Sequence, residues 1–240
     1  MANKKASNAA SGSIDFSIVT AASLAEAVRT VGTFKPKFNP KEGKVFSDEL
    51  EVKGTAFWLK DLGVLVTCAH VVQEILSLPL ELAGLLVVGN HGAHQRAIVS
   101  LVDYQHDLAI LTLVDANTGI ALEGNVIQAE IDKGLLVVAK YADVGSRVAW
   151  SGYPHGVQLL NQKHDPTYSE GVVGVQMRDS KSKKEIQISG VVVGGYSGSP
   201  VVNKDDGRVI GVVANGPQNS GIFMAISWEH IVAIARLAKS

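Results

Sequence analysis

Gly194-Gly195-Tyr196-Ser197-Gly198-Ser199-Pro200 lies between Val191-Val192-Val193 and Val201-Val202, so a glycine-rich turn interrupts what otherwise reads as strand. Glycine reaches backbone dihedrals that other residues avoid, which lets several N–H groups converge on one point. Ser197 places a hydroxyl nucleophile beside those donors, an arrangement able to attack a carbonyl and hold the negative charge that develops. A lone Gly-x-Ser-Gly equally fits a hairpin turn that happens to carry a serine. What separates the two readings lies upstream.

Two upstream stretches supply partners. Thr67-Cys68-Ala69-His70-Val71-Val72 puts a histidine directly after an apolar run, and His106-Asp107-Leu108-Ala109-Ile110-Leu111 puts an aspartate at the mouth of another. A hydroxyl has too high a pKa to attack unaided, so a neutral imidazole must take its proton. The imidazole in turn needs a carboxylate on its other nitrogen, to set the tautomer and stabilise the imidazolium. Asp103 rivals Asp107 by position, but the Asp-Leu-Ala-Ile-Leu context favours Asp107. Each motif alone fits a structural role; together, in this order, they point to nucleophilic catalysis.

The background is all-β. Short apolar runs (Thr55–Leu59, Val64–Cys68, Leu85–Gly89, Ala97–Leu101, Leu108–Val114) are separated by turn residues, and Val71–Leu76 reads as one or two helical turns. Asp115–Glu130 reads as a linker. A second set of strands is expected over Leu135–Ala139, Arg147–Gly152, Gly171–Arg178, Glu185–Val193, Val201–Asn203, Val209–Ala214 and Ile222–Ile226. This strand-turn-strand rhythm predicts an antiparallel barrel or sandwich, and no sequence repeat relates the two sets. Lys181, Lys183 and Lys184 read as a solvated hairpin cap.

At the N-terminus, Met1–Ser13 is small, polar and expected to be disordered. Ser23-Leu24-Ala25-Glu26 has capping-box spacing ahead of a short helix ending near Gly32, and Thr33–Lys53 reads as a surface connection. At the C-terminus, Ser227 caps a helix from Trp228 to about Ala238, with Ile231, Ile234, Ala235 and Ala238 as its buried stripe.

The composition of the 240 residues, 46% hydrophobic and 19% charged, is that of a globular chain. A net charge of −1 gives no electrostatic reason to expect nucleic acid or an anionic membrane as partner. Cys68 is the single cysteine, so no intramolecular disulfide can form. There is neither a signal-peptide pattern nor an apolar run of membrane-spanning length, and a soluble, cytoplasmic protein is expected. His91-Gly92-Ala93-His94, with His70 and His106, raises a metal site, but without a further ligand none is expected, nor is any cofactor.

In these motifs the chain resembles chymotrypsin-fold (trypsin-like) serine proteases, closest in texture to the HtrA/Deg branch, with no PDZ-like extension following. The matching stretches are Gly54-Thr55-Ala56-Phe57, Thr67–Val72, Asp107–Leu111, Gly152-Tyr153-Pro154, Gly195–Pro200, Val209-Ile210-Gly211-Val212 and Phe223-Met224-Ala225-Ile226. They run in the family's order, His then Asp then Ser. The resemblance implies two antiparallel six-stranded β-barrels with the site in the cleft between them. It divides the chain into an N-terminal extension (1–53), a first barrel (54–120), a second barrel (121–226) and a C-terminal helix (227–240).

By the same resemblance Ser197 is the nucleophile, His70 the general base and acid, and Asp107 the orienting carboxylate, with the N–H groups of Gly195 and Ser197 as oxyanion hole. The primary pocket would have its base near Val191 and its walls at Ala214-Asn215-Gly216 and Gly221-Ile222. No carboxylate stands at those positions, so a small or medium apolar residue is expected before the scissile bond of a protein or peptide substrate. Two residues depart from the pattern. Tyr196 replaces the aspartate that pairs with a new N-terminus in digestive members, and the asparagine usual in HtrA-type enzymes; Ser199 replaces the second glycine. The alternative reading is a trypsin-fold binding or regulatory module whose oxyanion hole is unformed or conditional. Oligomeric state is not legible.

Overall fold

The structure, a computed structural model, describes residues 19–39, 41, 44–77, 86–90, 93–137, 142–156, 165–180, 183–217 and 220–239. The expectations for Met1–Ser13, Leu85, His91, Ala139 and Lys181 fall outside these residues. Among the described residues, twelve strands close into two six-stranded antiparallel barrels, as the resemblance implied. The first consists of β1 (Val28–Asn39), β2 (Lys44–Leu59), β3 (Val64–Thr67), β4 (Leu86–Asn90), β5 (Ala93–Asp103) and β6 (Leu108–Leu113). The second consists of β7 (Arg147–Gly152), β8 (Thr167–Ser180), β9 (Lys183–Ser189), β10 (Pro200–Asn203), β11 (Val209–Asn215) and β12 (Ile222–Ser227). Around the wall the orders are β1-β2-β3-β6-β5-β4 and β7-β8-β9-β12-β11-β10. Counted from its own first strand, each barrel is therefore wound the same way, without any matching repeat in sequence.

The first barrel begins at Val28, well before Gly54. Within 33–53, expected as a surface connection, residues 33–39 instead belong to β1 and 44–53 to β2, the two strands pairing from Val28↔Phe57 to Asn39↔Lys44. Charged residues alternating with apolar ones, as in Leu50-Glu51-Val52-Lys53, suit a strand better than a loop. Pro36, which has no N–H to give a ladder, falls at a register shift between Lys35 and Lys37. The N-terminal helix is α1 (Ala21–Ala27), and its capping box starts at Thr20, not Ser23. The Thr20 side chain accepts the Ser23 N–H at 3.1 Å, and Ser23 Oγ accepts the Thr20 N–H at 3.0 Å. β-Branched Val28, Thr30 and Val31 then continue as strand, so the expected helical stripe is cut short.

A short helix, α2 (Ala69–Leu76), follows β3 as expected. The expected linker contains a bridge between Val114 and Ala121 and a helix, α3 (Asn125–Asp132). Of the strand expected over 135–139, the described residues 135–137 make two single parallel bridges, Leu135 to Leu59 and Val137 to Val209, which stitch the connection to both barrels. Arg29, its side chain 3% exposed, reaches from β1 to Glu130 on α3 at 2.5 Å and also donates to the carbonyls of Glu26 and Val28. Burial opposes the Glu130 charge, but hydrogen bonds from Lys133 and Arg29 outweigh it and hold the carboxyl below its usual range.

The closing helix, α4 (Trp228–Leu237), buries Ile231, Ile234 and Ala235 as predicted. Ala238 is exposed, and Ser227 stands at the N-cap in extended conformation without making a side-chain cap bond. The larger apolar cluster joins Phe57, Leu65 and Ile110 of the first barrel to Ala149, Val212 and Ile226 of the second and to this helix, so the cleft between the barrels has a continuous floor. No described helix is long and apolar enough to cross a membrane.

Candidate active site

His70 lies in the first turn of α2, immediately beyond the buried β3, and its side chain is 42% exposed. Asp107 ends the turn between β5 and β6 at φ +59, a left-handed conformation that aspartate tolerates better than most residues. The turn is pinned where Ala69 N–H donates to the Asp107 carbonyl at 3.1 Å. The Asp107 carboxylate accepts the His70 backbone N–H at 2.9 Å, and its two oxygens lie 3.0 and 2.9 Å from His70 Nδ1. A carboxylate so placed accepts a hydrogen bond from Nδ1–H, which keeps the proton on Nδ1 and leaves Nε2 as the acceptor. The rival, Asp103, is committed elsewhere, 2.6 Å from His106 Nδ1.

Ser197 approaches from the other barrel. The Tyr196 N–H closes a turn onto the Val193 carbonyl at 3.2 Å, with Gly195 at φ +98 as a type II turn requires. Three carbonyls of this segment are held by residues outside it. That of Gly194 accepts His155 N–H at 2.7 Å, that of Gly195 accepts Thr55 Oγ1 at 2.8 Å, and that of Ser197 accepts Thr55 N–H at 2.9 Å. In a trans peptide the N–H opposes the C=O, so the Gly195 N–H faces away from His155. Among the described residues, the N–H groups of Gly195 and Ser197 donate to nothing.

Both departures in the turn find space in the interior, although Ser199 Oγ has no hydrogen-bond partner among the described residues. Ser199 is fully buried, and Gly152 makes its room, since a Cβ there would lie 2.2 Å from Ser199 Oγ. Tyr196, 4% exposed, sinks its ring into the second barrel, and its hydroxyl lies 2.9 Å from Ser169 Oγ on β8. The Ser197 hydroxyl itself donates to the Ala214 carbonyl at 3.2 Å, and no hydrogen bond joins it to His70 among the described residues.

Cys68 is a buried free thiol whose Sγ donates to the Val213 carbonyl at 3.3 Å. Burial, helped by the nearby Asp107 charge, pushes its pKa well up, so it remains a protonated thiol. Cys68, His70 and Asp107 bring potential metal-ligating atoms within 4.8 Å of one another; His94 belongs to no such group among the described residues.

The expected pocket residues fall in two facing segments. Val191 is 69% exposed, just past the end of β9 at Ser189, so the strand expected to run on to Val193 stops earlier. Ala214 is buried, Asn215 and Gly216 are exposed at the end of β11, and Gly221 at φ +67 precedes β12. The Gly190 N–H donates to the Gly221 carbonyl at 2.8 Å and ties the two sides together.

Thr55 was not singled out by sequence as a site residue. Besides holding the carbonyls of Gly195 and Ser197, it accepts the Tyr153 N–H on Oγ1 at 3.2 Å and the Thr67 hydroxyl on its carbonyl at 2.7 Å. The available signal was a polar residue heading an apolar run, since a hydroxyl buried in a barrel wall must find partners.

A family model described as a trypsin-like peptidase domain matches residues 54–212, most of the chain. Among solved structures, the Rv3671c protease from M. tuberculosis in its active form matches with a TM-score of 0.56 and 19% identity, over 88% of this chain and 80% of that one. The HtrA-type protease AlgW with a decapeptide matches with a TM-score of 0.62 and 19% identity, over 92% of this chain and 68% of that one. At such identity the likeness to these structures is one of fold. A search of curated proteins found no match.

Proposed function

As a member of the trypsin-like peptidase family the chain is a serine endopeptidase, and we propose that it works through an acyl-enzyme on Ser197, with His70 as general base and Asp107 as orienting carboxylate. The observation that carries this reading is the hold of Asp107 on both the backbone N–H and Nδ1 of His70. Such a hold fixes the ring's tautomer and direction in advance.

In the proposed reaction Ser197 Oγ attacks the scissile carbonyl carbon while His70 Nε2 takes its proton. The negative oxygen so formed is met by the N–H groups of Gly195 and Ser197, which carry no competing bond in the resting state. The intermediate collapses, the C–N bond breaks, and the leaving amine takes the proton from His70. Water then repeats the sequence on the ester and frees Ser197. The pocket offers no carboxylate, which supports cleavage after a small or medium apolar residue. A peptide library in which cleavage followed Lys or Arg but not Ala, Val or Leu would overturn that preference.

A second reading, a trypsin-fold binding module, is favoured by one observation: the Ser197 hydroxyl rests on the Ala214 carbonyl instead of on His70. Attack requires it to leave that carbonyl and turn toward His70, a rotation about one side-chain bond. A fluorophosphonate probe separates the readings. Labelling of the protein but not of Ser197→Ala supports the hydrolase, whereas no labelling under any condition supports the binding module. In the hydrolase, Ser197→Ala or His70→Ala should lower kcat on the order of a million-fold, and Asp107→Asn on the order of ten-thousand-fold.

A further inference from the structure

A segment containing three glycines loses more backbone entropy on ordering than any other, so something must hold it in one shape. Within 194–198 the glycines have no side chain and Ser197 is only half-buried; Tyr196 alone sends a side chain into the core. Its ring belongs to the second barrel's apolar cluster with Trp150, Ile188 and Phe223. Gly152 leaves space for it, since a Cβ there would come 3.1 Å from Tyr196 Cδ1. Tyr196 is also the covalent link between the two free N–H donors. Its own N–H closes the turn on Val193, and its carbonyl accepts the Ser199 N–H at 2.8 Å.

We propose that Tyr196 is a positioning residue that keeps the oxyanion turn formed in the resting protein, by its ring in the barrel core and its hydroxyl on Ser169. The inference rests on the serine-protease reading and concerns how that same site is held. An apolar anchor with one partly buried hydrogen bond does here what a salt bridge to a newly cut N-terminus does in the digestive relatives. The turn is therefore formed without a cleavage event.

The test compares wild type, Tyr196→Phe, Ser169→Ala, the double variant and Tyr196→Leu, with Ser197→Ala as control. Each is assayed for kcat and KM on a peptide, and for affinity to a peptide boronate, whose tetrahedral adduct places an oxygen among the oxyanion donors. Loss of the hydroxyl contact in Tyr196→Phe or Ser169→Ala should lower kcat about 3- to 10-fold with KM within about twofold, and boronate affinity should fall in step. The double variant should be no worse than the weaker single, because one contact is removed twice. Tyr196→Leu should approach the roughly hundred-fold loss that follows removal of an oxyanion donor.

Lowered melting temperatures with unchanged kcat and boronate affinity would show that Tyr196 only fills space, and would overturn the proposal. If Tyr196→Leu fails to fold, the two conservative variants decide. A wild type that neither cleaves peptides nor takes the serine probe sinks the protease reading itself, and this proposal with it.

Discussion

At Gly198 the backbone sits at φ +87, and an added Cβ would stand 1.9 Å from the Thr55 carbonyl oxygen and 2.6 Å from Thr67 Oγ1. Neither neighbour can retreat, because the Thr55 carbonyl accepts the Thr67 hydroxyl. Gly198→Ala should therefore cost about 2–4 kcal/mol in denaturant unfolding, and a cost below about 1 kcal/mol would contradict this geometry. The motifs of Ser197, His70 and Asp107 stand out in the sequence because the proposed chemistry demands particular side chains in short motifs, and the structure joins His70 to Asp107. Thr55 does not, since its role depends on which backbone groups come to face it across the cleft. Nor did the sequence show that Ser199 would be tolerated, which depends on Gly152, 47 positions earlier in the chain.

The elements that sequence misjudged lie where local pattern and tertiary demand disagree. β1 carries a proline and several charges, yet it pairs with both β2 and β4 and so closes the first barrel. α3 reads as linker because its own apolar content is modest, and none of its residues is fully buried. Ile127 and Ile131 of α3 pack partly buried against the core, and Arg29, whose guanidinium pairs with Glu130, ties the helix to β1. Glu130→Ala strands that buried cation and should cost roughly 2 kcal/mol or more. Lys133→Ala removes only a surface partner of the same carboxylate and should cost about 0–1 kcal/mol. Equal costs for the two would show that Arg29 does not depend on Glu130. By contrast β7, α2 and α4 were read almost to the residue, since a compact apolar run or a helical stripe specifies them without outside help.

For the whole molecule, the matter is how two barrels with the same winding are held as one. One join lies beside the site, where His106, in the turn that carries Asp107, stacks on His230 of α4 with ring centroids 3.9 Å apart. His230 Nε2 accepts the Lys184 N–H at 2.9 Å, which only an unprotonated nitrogen can do. Burial, then the charge on His106, lowers the His230 pKa from its ordinary value of 6.5, with Lys184 adding to the effect and Glu229 and Asp103 opposing it. The unfolded chain therefore binds this proton more readily than the folded one, so the contribution is complete above about pH 6.5 and shrinks as pH falls below it. Melting temperature measured across that range should decline toward acid, and less steeply in His230→Gln, which can still accept the Lys184 N–H; identical slopes would refute the assignment. The other join is Thr55, a first-barrel residue that grips two carbonyls of the turn bearing the second barrel's serine. Neither barrel alone thus contains all the residues of the proposed site. A chain leaving the ribosome has its histidine and aspartate long before its serine, and that serine is set in register only when the halves dock. On the proposed mechanism a half-made protein cannot cut its neighbours, and a finished one whose barrels part loses its site by the same movement.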